Sequence, residues 1–174
     1  MTLLLTPKDL ESIIRVDHAG EYGAKRIYEG QLRVLKNKPS AVVIEEMYAQ
    51  ELAHLETFSQ MIPKNRVRPT LLQPLWHWGA YAMGAGTAFL GEKAAMACTA
   101  AVEEVIDAHY QEQIKFLGED QMALKNTLEK FRAEECQHRD IAYDHGAKEA
   151  PAYPLLSGVI KGMTRLAIAL SKRL

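Results

Sequence analysis

Apolar residues return every three or four positions along most of this chain, and the breaks in that rhythm divide it into helices. Leu10, Ile13, Ile14, Ile27, Leu32 and Leu35 keep the period to about Asn37. Thr6-Pro7-Lys8-Asp9 opens the stretch with an N-cap hydroxyl, a proline at the first helical position and an early acid. Pro39-Ser40 restarts the pattern, Val43, Met47, Leu55 and Phe58 carry a second helix, and Pro63 is expected to stop it. A third helix is expected from about Thr87 to Phe116, closing at Gly118, and a fourth from about Asp120 to His145, with Gly146 as its C-cap. No alternating strand pattern and no Asn-Gly hairpin signal interrupts them, so the expected class is all-α. The core helices are placed at 6–37, 40–62, 87–117 and 120–145 of a single domain, 1–174.

Two stretches fall outside this four-helix scheme. Thr70 to Gly91 carries no formal charge over 22 residues and is rich in large apolar side chains, from Leu71 and Leu72 to Phe89 and Leu90. Its length meets the requirement for a membrane span. Gln73, Pro74, His77 and four glycines make it a poor one, however, and a single span would separate the two halves of the chain. It reads instead as an apolar interfacial insert, 70–90, with Trp76 and Trp78 where amphipathic rings prefer to sit. The bland alternative is a buried connector. Beyond Pro151 and Pro154, the residues Leu155, Val159, Met163, Leu166 and Leu170 step by three or four, while Lys161, Arg165, Lys172 and Arg173 supply only positive charge. A basic amphipathic helix over 155–174 suits a membrane surface or a partner, or it packs on the bundle as a fifth helix.

Composition narrows the classes. At 174 residues the chain is most simply one domain with a real core, and its net charge of −1 gives no bulk electrostatic reason to expect nucleic acid. Cys98 and Cys136 form no C-x-x-C, which argues against a disulfide framework or a thiolate metal site and fits a reducing, intracellular setting. No cleavable leader is read, because the Leu3-Leu4-Leu5 run has no basic region before it.

The candidate chemistry lies in a repeat. Glu-x-x-His occurs at Glu51/His54 and again at Glu135/His138, and residues three apart project from one face of a helix. Glu21 lies 30 residues before the first copy, and Glu103 or Glu104 about as far before the second. That distance is about one long helix out and back, which returns each motif to the height of its upstream glutamate. Four carboxylates and two imidazoles are the set that a four-helix bundle uses to hold two iron or manganese ions. Hard carboxylates tolerate ferrous and ferric states, and imidazole adds a neutral ligand, so the set points to an O₂-using oxidase. Glu51 and Glu135 are the natural bridging groups, with Glu21 and one of Glu103 or Glu104 terminal. Helical position offers Asp107 as a group that could orient a ligand histidine and Tyr110 as a redox or proton group, while His18 reads as a surface hydrogen-bonder.

Longer strings carry a family resemblance. Arg15-Val16-Asp17-His18-Ala19-Gly20-Glu21-Tyr22-Gly23-Ala24, Arg66-Val67-Arg68-Pro69-Thr70, Met96-Ala97-Cys98-Thr99, Val102-Glu103-Glu104, His109-Tyr110 and Ala150-Pro151-Ala152-Tyr153 resemble the demethoxyubiquinone hydroxylases of ubiquinone biosynthesis over essentially the whole chain. The resemblance implies a ferritin-like bundle with two Fe ions per chain. Its ligands fall on Glu21, Glu51, His54, Glu103, Glu135 and His138, so it favours Glu103 over Glu104. It implies O₂-dependent hydroxylation of a polyprenyl-methoxy-methyl-benzoquinol, with His109 and Tyr110 linked to electron delivery from NADH or a reductase. It also implies a peripheral inner-membrane protein (cytoplasmic face in bacteria, matrix face if mitochondrial), a homo-oligomer, and a lipid-binding biosynthetic partner of the kind some relatives use. The alternative is another ferritin-like di-iron protein. A peroxidase with a rubredoxin tail would need a paired C-x-x-C that is missing here, and an iron store would not need an apolar insert and a basic tail.

Overall fold

Helix α1 (Pro7–Leu35) begins where the sequence supplies both halves of a cap: the Thr6 hydroxyl accepts from Asp9 N, and the Asp9 carboxylate accepts from Thr6 N. The computed structural model describes residues 6–174, so the Leu3–Leu5 run lies outside the described residues. Five further α-helices follow: α2 (Ala41–Lys64), α3 (Gln73–Phe89), α4 (Glu92–Phe116), α5 (Met122–Asp144) and α6 (Tyr153–Ser171). Two single 3₁₀ turns flank α5, and no strand occurs among the described residues. The protein is an all-α, ferritin-like bundle.

Two boundaries differ from the sequence pattern for local reasons, and the apolar insert takes a definite form. Pro63 does not stop α2 but sits inside its last turn, because a proline there forfeits one backbone bond and the chain keeps helical dihedrals to Lys64. The helix expected from Thr87 starts at Glu92, and Thr87 belongs to α3. Gly91, at φ +114°, holds a conformation that side chains rarely adopt and so separates the two helices. The uncharged stretch is itself a helix, α3, and no helix among the described residues is long and apolar enough to cross a membrane.

Helix α4 lies at the centre, against α3, α5 and α6. Ala94 to Glu103 is buried without interruption, and its mostly small residues let the neighbouring helices close in from every side. Helix α1 packs on α2 and most extensively on α3, where two glycines make the approach possible. A Cβ on Gly30 would lie 2.7 Å from the Ala85 nitrogen, and one on Gly84 2.9 Å from Ile27 Cα. Trp76 Nε1 donates to Ser171 Oγ at 2.9 Å, tying α3 to α6. Gly146, at φ +81°, ends α5 in the left-handed cap its sequence position suggested.

Of three apolar clusters among the described residues, one around Ile27, Cys98 and Ile160 faces α3 and α6, and the other two are layers along the bundle. One layer contains Tyr28, Met47, Ala100 and Ala142. The other contains Ile13, Phe58, Tyr110 and Phe131. On each of α1, α2, α4 and α5 the polar residues read above as ligands fall between these two layers.

Candidate metal centre

Glu21 from α1, Glu51 and His54 from α2, Glu103 from α4, and Glu135 and His138 from α5 converge between the two apolar layers, none more than 3 % exposed. They form two overlapping groups. Glu21, Glu51, His54 and Glu135 make one, and Glu51, Glu103, Glu135 and His138 the other, with ligand atoms in each group within 4.8 Å of one another. Glu51 and Glu135 belong to both. The structure thus brings together all six residues singled out from the motifs. It also separates Glu103 from Glu104, which lies outside the cluster and pairs with Lys161 at 2.5 Å and with the Tyr143 hydroxyl.

The electrostatics describe a site short of positive charge. Burial pushes the Glu51 and Glu103 carboxyls well above the usual range, and the neighbouring Glu135 and Glu21 charges push them further. Burial likewise raises Glu21. Burial works against ionisation of Glu135 too, but the close approach of the His138 and His54 imidazoles, each with Nδ1 3.0 Å from one of its oxygens, prevails and holds it down to about 2. The same contacts with Glu135 and Glu21 outweigh burial at His54 and hold it up to about 11.

Several buried polar atoms of the cluster have no aligned hydrogen-bond partner. Both Glu51 carboxylate oxygens, Glu135 Oε2 and His138 Nδ1 make no hydrogen bond although fully buried, and His138 Nδ1 lies 3.1 Å from Glu51 Oε1 and 3.0 Å from Glu135 Oε2. Unpaired buried oxygens are costly unless something else satisfies them. Two divalent cations would balance four carboxylates with both imidazoles neutral, and oxygen-rich sites with a few imidazoles suit iron or manganese. The residues fit the metal pair that the motifs imply.

Tyrosines support the two terminal glutamates crosswise. The Tyr110 hydroxyl, from α4, donates to Glu21 on α1, and the Tyr28 hydroxyl, from α1, donates to Glu103 on α4 at 3.4 Å. Burial raises both phenols well above their ordinary value, with the adjacent glutamate charge adding to it. His109 does not touch the cluster. Its ring stacks on Tyr110 with centroids 6.5 Å apart, and its Nε2 lies 3.0 Å from Gln113 Nε2 and 3.5 Å from Asp17 Oδ1. The other side of His109 meets a surface cleft lined by Glu112 and Lys172.

Sequence reasoning missed Tyr28, Gln50 and Glu134. Tyr28 stands seven residues after Glu21, as Tyr110 does after Glu103, so the same helical interval could have found it. Gln50 and Glu134 each immediately precede a Glu-x-x-His and meet the far nitrogens of His138 and His54. Asp107 does not orient a histidine; it pairs with Arg132 at 2.6 Å and Arg139 at 3.6 Å, because its side chain turns along the outer α4–α5 seam. His18 is not a surface hydrogen-bonder. It is buried, its Nδ1 has no partner among the described residues, and burial pulls its pKa down.

Beside the cluster lies an apolar cavity of about 230 Å³. Gly20, Gly23 and Ala24 of α1, Val102 of α4, Met83 of α3 and Met163 of α6 line it, alternating around the stretches that carry Glu21 and Glu103. Leu75 and Met163 line it while remaining more than half exposed, so its mouth opens between α3 and α6. Trp78 and Phe89 on α3, Leu90 just after it, and Leu155, Val159 and Leu166 on α6 expose further apolar surface. Phe89 points outward and does not line the cavity.

Comparison with known proteins gives a consistent picture. Residues 8–171 match the family described as "Ubiquinone biosynthesis protein COQ7". The chain is 55% identical over 165 residues to a protein of Rhodospirillum rubrum named 3-demethoxyubiquinol 3-hydroxylase, covering 94% of this chain and 78% of that one. It is 50% identical over 169 residues to the human NADPH-dependent 3-demethoxyubiquinone 3-hydroxylase, mitochondrial, covering 95% and 78%. It is 41% identical over 182 residues to the Saccharomyces cerevisiae 5-demethoxyubiquinone hydroxylase, mitochondrial, again covering 95% and 78%.

Proposed function

Because the chain belongs to the COQ7 family of ubiquinone biosynthesis proteins, we infer that it is a demethoxyubiquinol hydroxylase, a monooxygenase that adds one hydroxyl to the quinol ring. The observation that carries this reading is the buried set of four carboxylates and two imidazoles at the centre of a four-helix bundle. Glu21, Glu51, His54, Glu103, Glu135 and His138 would hold two iron ions, Glu51 and Glu135 being the two residues that belong to both ligand groups. Bound iron supplies the electrons that activate O₂ for attack on a ring C–H bond.

The chain's own residues do the rest. Tyr110 and Tyr28 keep hydroxyl protons directed at Glu21 and Glu103, which fixes the orientation of both terminal carboxylates. The two apolar layers exclude water from the reacting centre. The cavity beside Glu21 and Glu103 takes the quinol, and the exposed faces of α3 and α6 at its mouth let the polyprenyl tail stay in lipid, since exposing each tail CH₂ to water costs about 0.8 kcal/mol. Those faces rest on a membrane surface, the inner membrane in a bacterium or a mitochondrion.

Monooxygenation also consumes two electrons and two protons from outside the quinol ring. The human relative's name makes NADPH its donor, and NADH, NADPH or a reductase is the donor here. His109, between a surface cleft and Tyr110, lies on the delivery path. The test is iron analysis of the purified protein followed by O₂-dependent turnover of a short-tailed demethoxyubiquinol. About two irons per chain and a product gaining one oxygen atom from ¹⁸O₂ are expected. Oxygen consumption without hydroxylated quinol would favour an oxidase or iron-storage reading instead.

A further inference from the structure

The two ends of the candidate metal centre are built from the same residue types except at one pair of positions. Each has a terminal glutamate, a tyrosine reaching it from another helix, and a histidine. Each Glu-x-x-His is also preceded by a residue that reaches across the bundle to the other motif's histidine. Gln50 Oε1 lies 2.7 Å from His138 Nε2, and Glu134 Oε2 lies 2.7 Å from His54 Nε2. In both rings Nδ1 faces the acidic cluster, 3.0 Å from a Glu135 oxygen. Nδ1 is therefore the nitrogen free to bind a metal, Nε2 carries the N–H, and Gln50 and Glu134 both accept.

The difference is charge. His54 donates to a carboxylate, whereas His138 donates to a neutral amide. A carboxylate behind an imidazole fixes its tautomer and makes the opposite nitrogen a stronger donor to a metal, and an amide does this less. Glu134 is half-buried, and Lys130 lies 3.8 Å from its other oxygen, on the solvent side. We propose that Glu134 and Gln50 are positioning residues that make the two metal positions unequal, the one at Glu21 and His54 binding its ion more tightly than the one at Glu103 and His138. The inference rests on the metal reading above and adds an order of occupancy to it.

Anaerobic calorimetric titration of the metal-free protein with Fe(II) tests it. The wild-type protein should bind in two resolved steps. Glu134→Gln, which keeps size and hydrogen bonding but removes charge, should weaken the tighter step 10- to 100-fold and leave the other unchanged. Gln50→Glu should do the reverse, strengthening the weaker step and narrowing the gap, and it serves as the deciding variant if Glu134→Gln does not fold. Two equal steps in the wild type, or a Glu134→Gln protein whose steps are unchanged or equally weakened, would overturn the inequality while leaving the metal site intact. A wild-type protein that binds no Fe(II) would instead overturn the metal reading, and this inference with it.

Discussion

At the scale of the residue, what distinguishes this protein is that Glu51 and Glu103 are kept where their charge is unwelcome. Without metal they hold protons that the unfolded chain, with a carboxyl near 4.5, gives up. Folding then takes up protons, so this contribution weakens as pH rises above 4.5. His54, held at about 11 against 6.5 unfolded, contributes stability that is complete below 6.5 and fades as pH climbs toward 11. Glu135, held near 2, contributes above 4.5 and loses it only as pH falls from there toward 2. The metal-free protein is thus expected to melt highest near about pH 5 and progressively lower toward about pH 8. Iron requires deprotonated ligands, so the rise in Tm on loading should grow over the same range; a metal-free Tm that rises toward pH 8 would contradict this balance. Glu51→Ala should lose iron and turnover with no loss of metal-free Tm, since it removes a buried carboxylate whose charge is unwelcome. Glu135→Ala should lose iron and turnover and also lower the metal-free Tm, since it removes the charge that faces both imidazoles. Full activity in either would exclude it as a shared ligand. Five of the six cluster residues were legible because they obey intrahelical intervals, three within a motif and one helix length between; spacing left Glu103 and Glu104 open, and only the family resemblance favoured Glu103. Gln50, Glu134 and Tyr28 were not legible, because their partners sit on other helices, and which rotation brings them together depends on packing.

Among the elements, the α1–α3 contact has the least slack. Gly30 and Gly84 stand where a Cβ would meet opposing backbone, which cannot move aside as a flexible side chain could. Gly84→Ala should cost about 1–3 kcal/mol, as overpacking does, read as a lower urea midpoint at unchanged slope. Because α3 also forms one wall of the apolar cavity, the same variant should raise KM for a long-tailed quinol with iron content unchanged. A neutral effect on both would mean that α3 shifts freely on α1. Helix rhythm gave the existence of α1, α2, α4, α5 and α6 from sequence, and the capping signals at Thr6 and Gly146 marked two of their ends. The α3–α4 break was hidden, since Thr87-Ala88-Phe89 continues the apolar rhythm into α4 and only the backbone of Gly91 stops it. The helical state of 73–89 was hidden for a related reason: with apolar residues all round, it shows no polar face from which a period can be read.

For the whole molecule, the uneven distribution of apolar surface is the feature that bears on substrate delivery. If the exposed faces of α3 and α6 rest on lipid, the protein should bind anionic liposomes in a salt-sensitive way, and Arg165, Lys172 and Arg173 replaced together by Gln should weaken that binding. Lys161 is omitted because it is engaged with Glu104. Partitioning that survives the triple change and high salt alike would assign attachment to the apolar faces alone. A charge at Met83, inside the cavity, should raise KM for long-tailed substrate more than for a tail-less analogue, with iron retained; equal loss for both would move the tail's path elsewhere. The interlacing of the two halves also bears on how the protein is made. As synthesis proceeds from the N-terminus, the first 64 residues deliver Glu21, Glu51 and His54, but the glutamate that completes their group and the carboxylate behind His54 are residues 135 and 134, seventy positions later. A nascent chain therefore has no finished place for an ion until almost the last helix has left the ribosome, so on the proposed reading iron would be expected to enter a bundle already assembled rather than to guide its assembly.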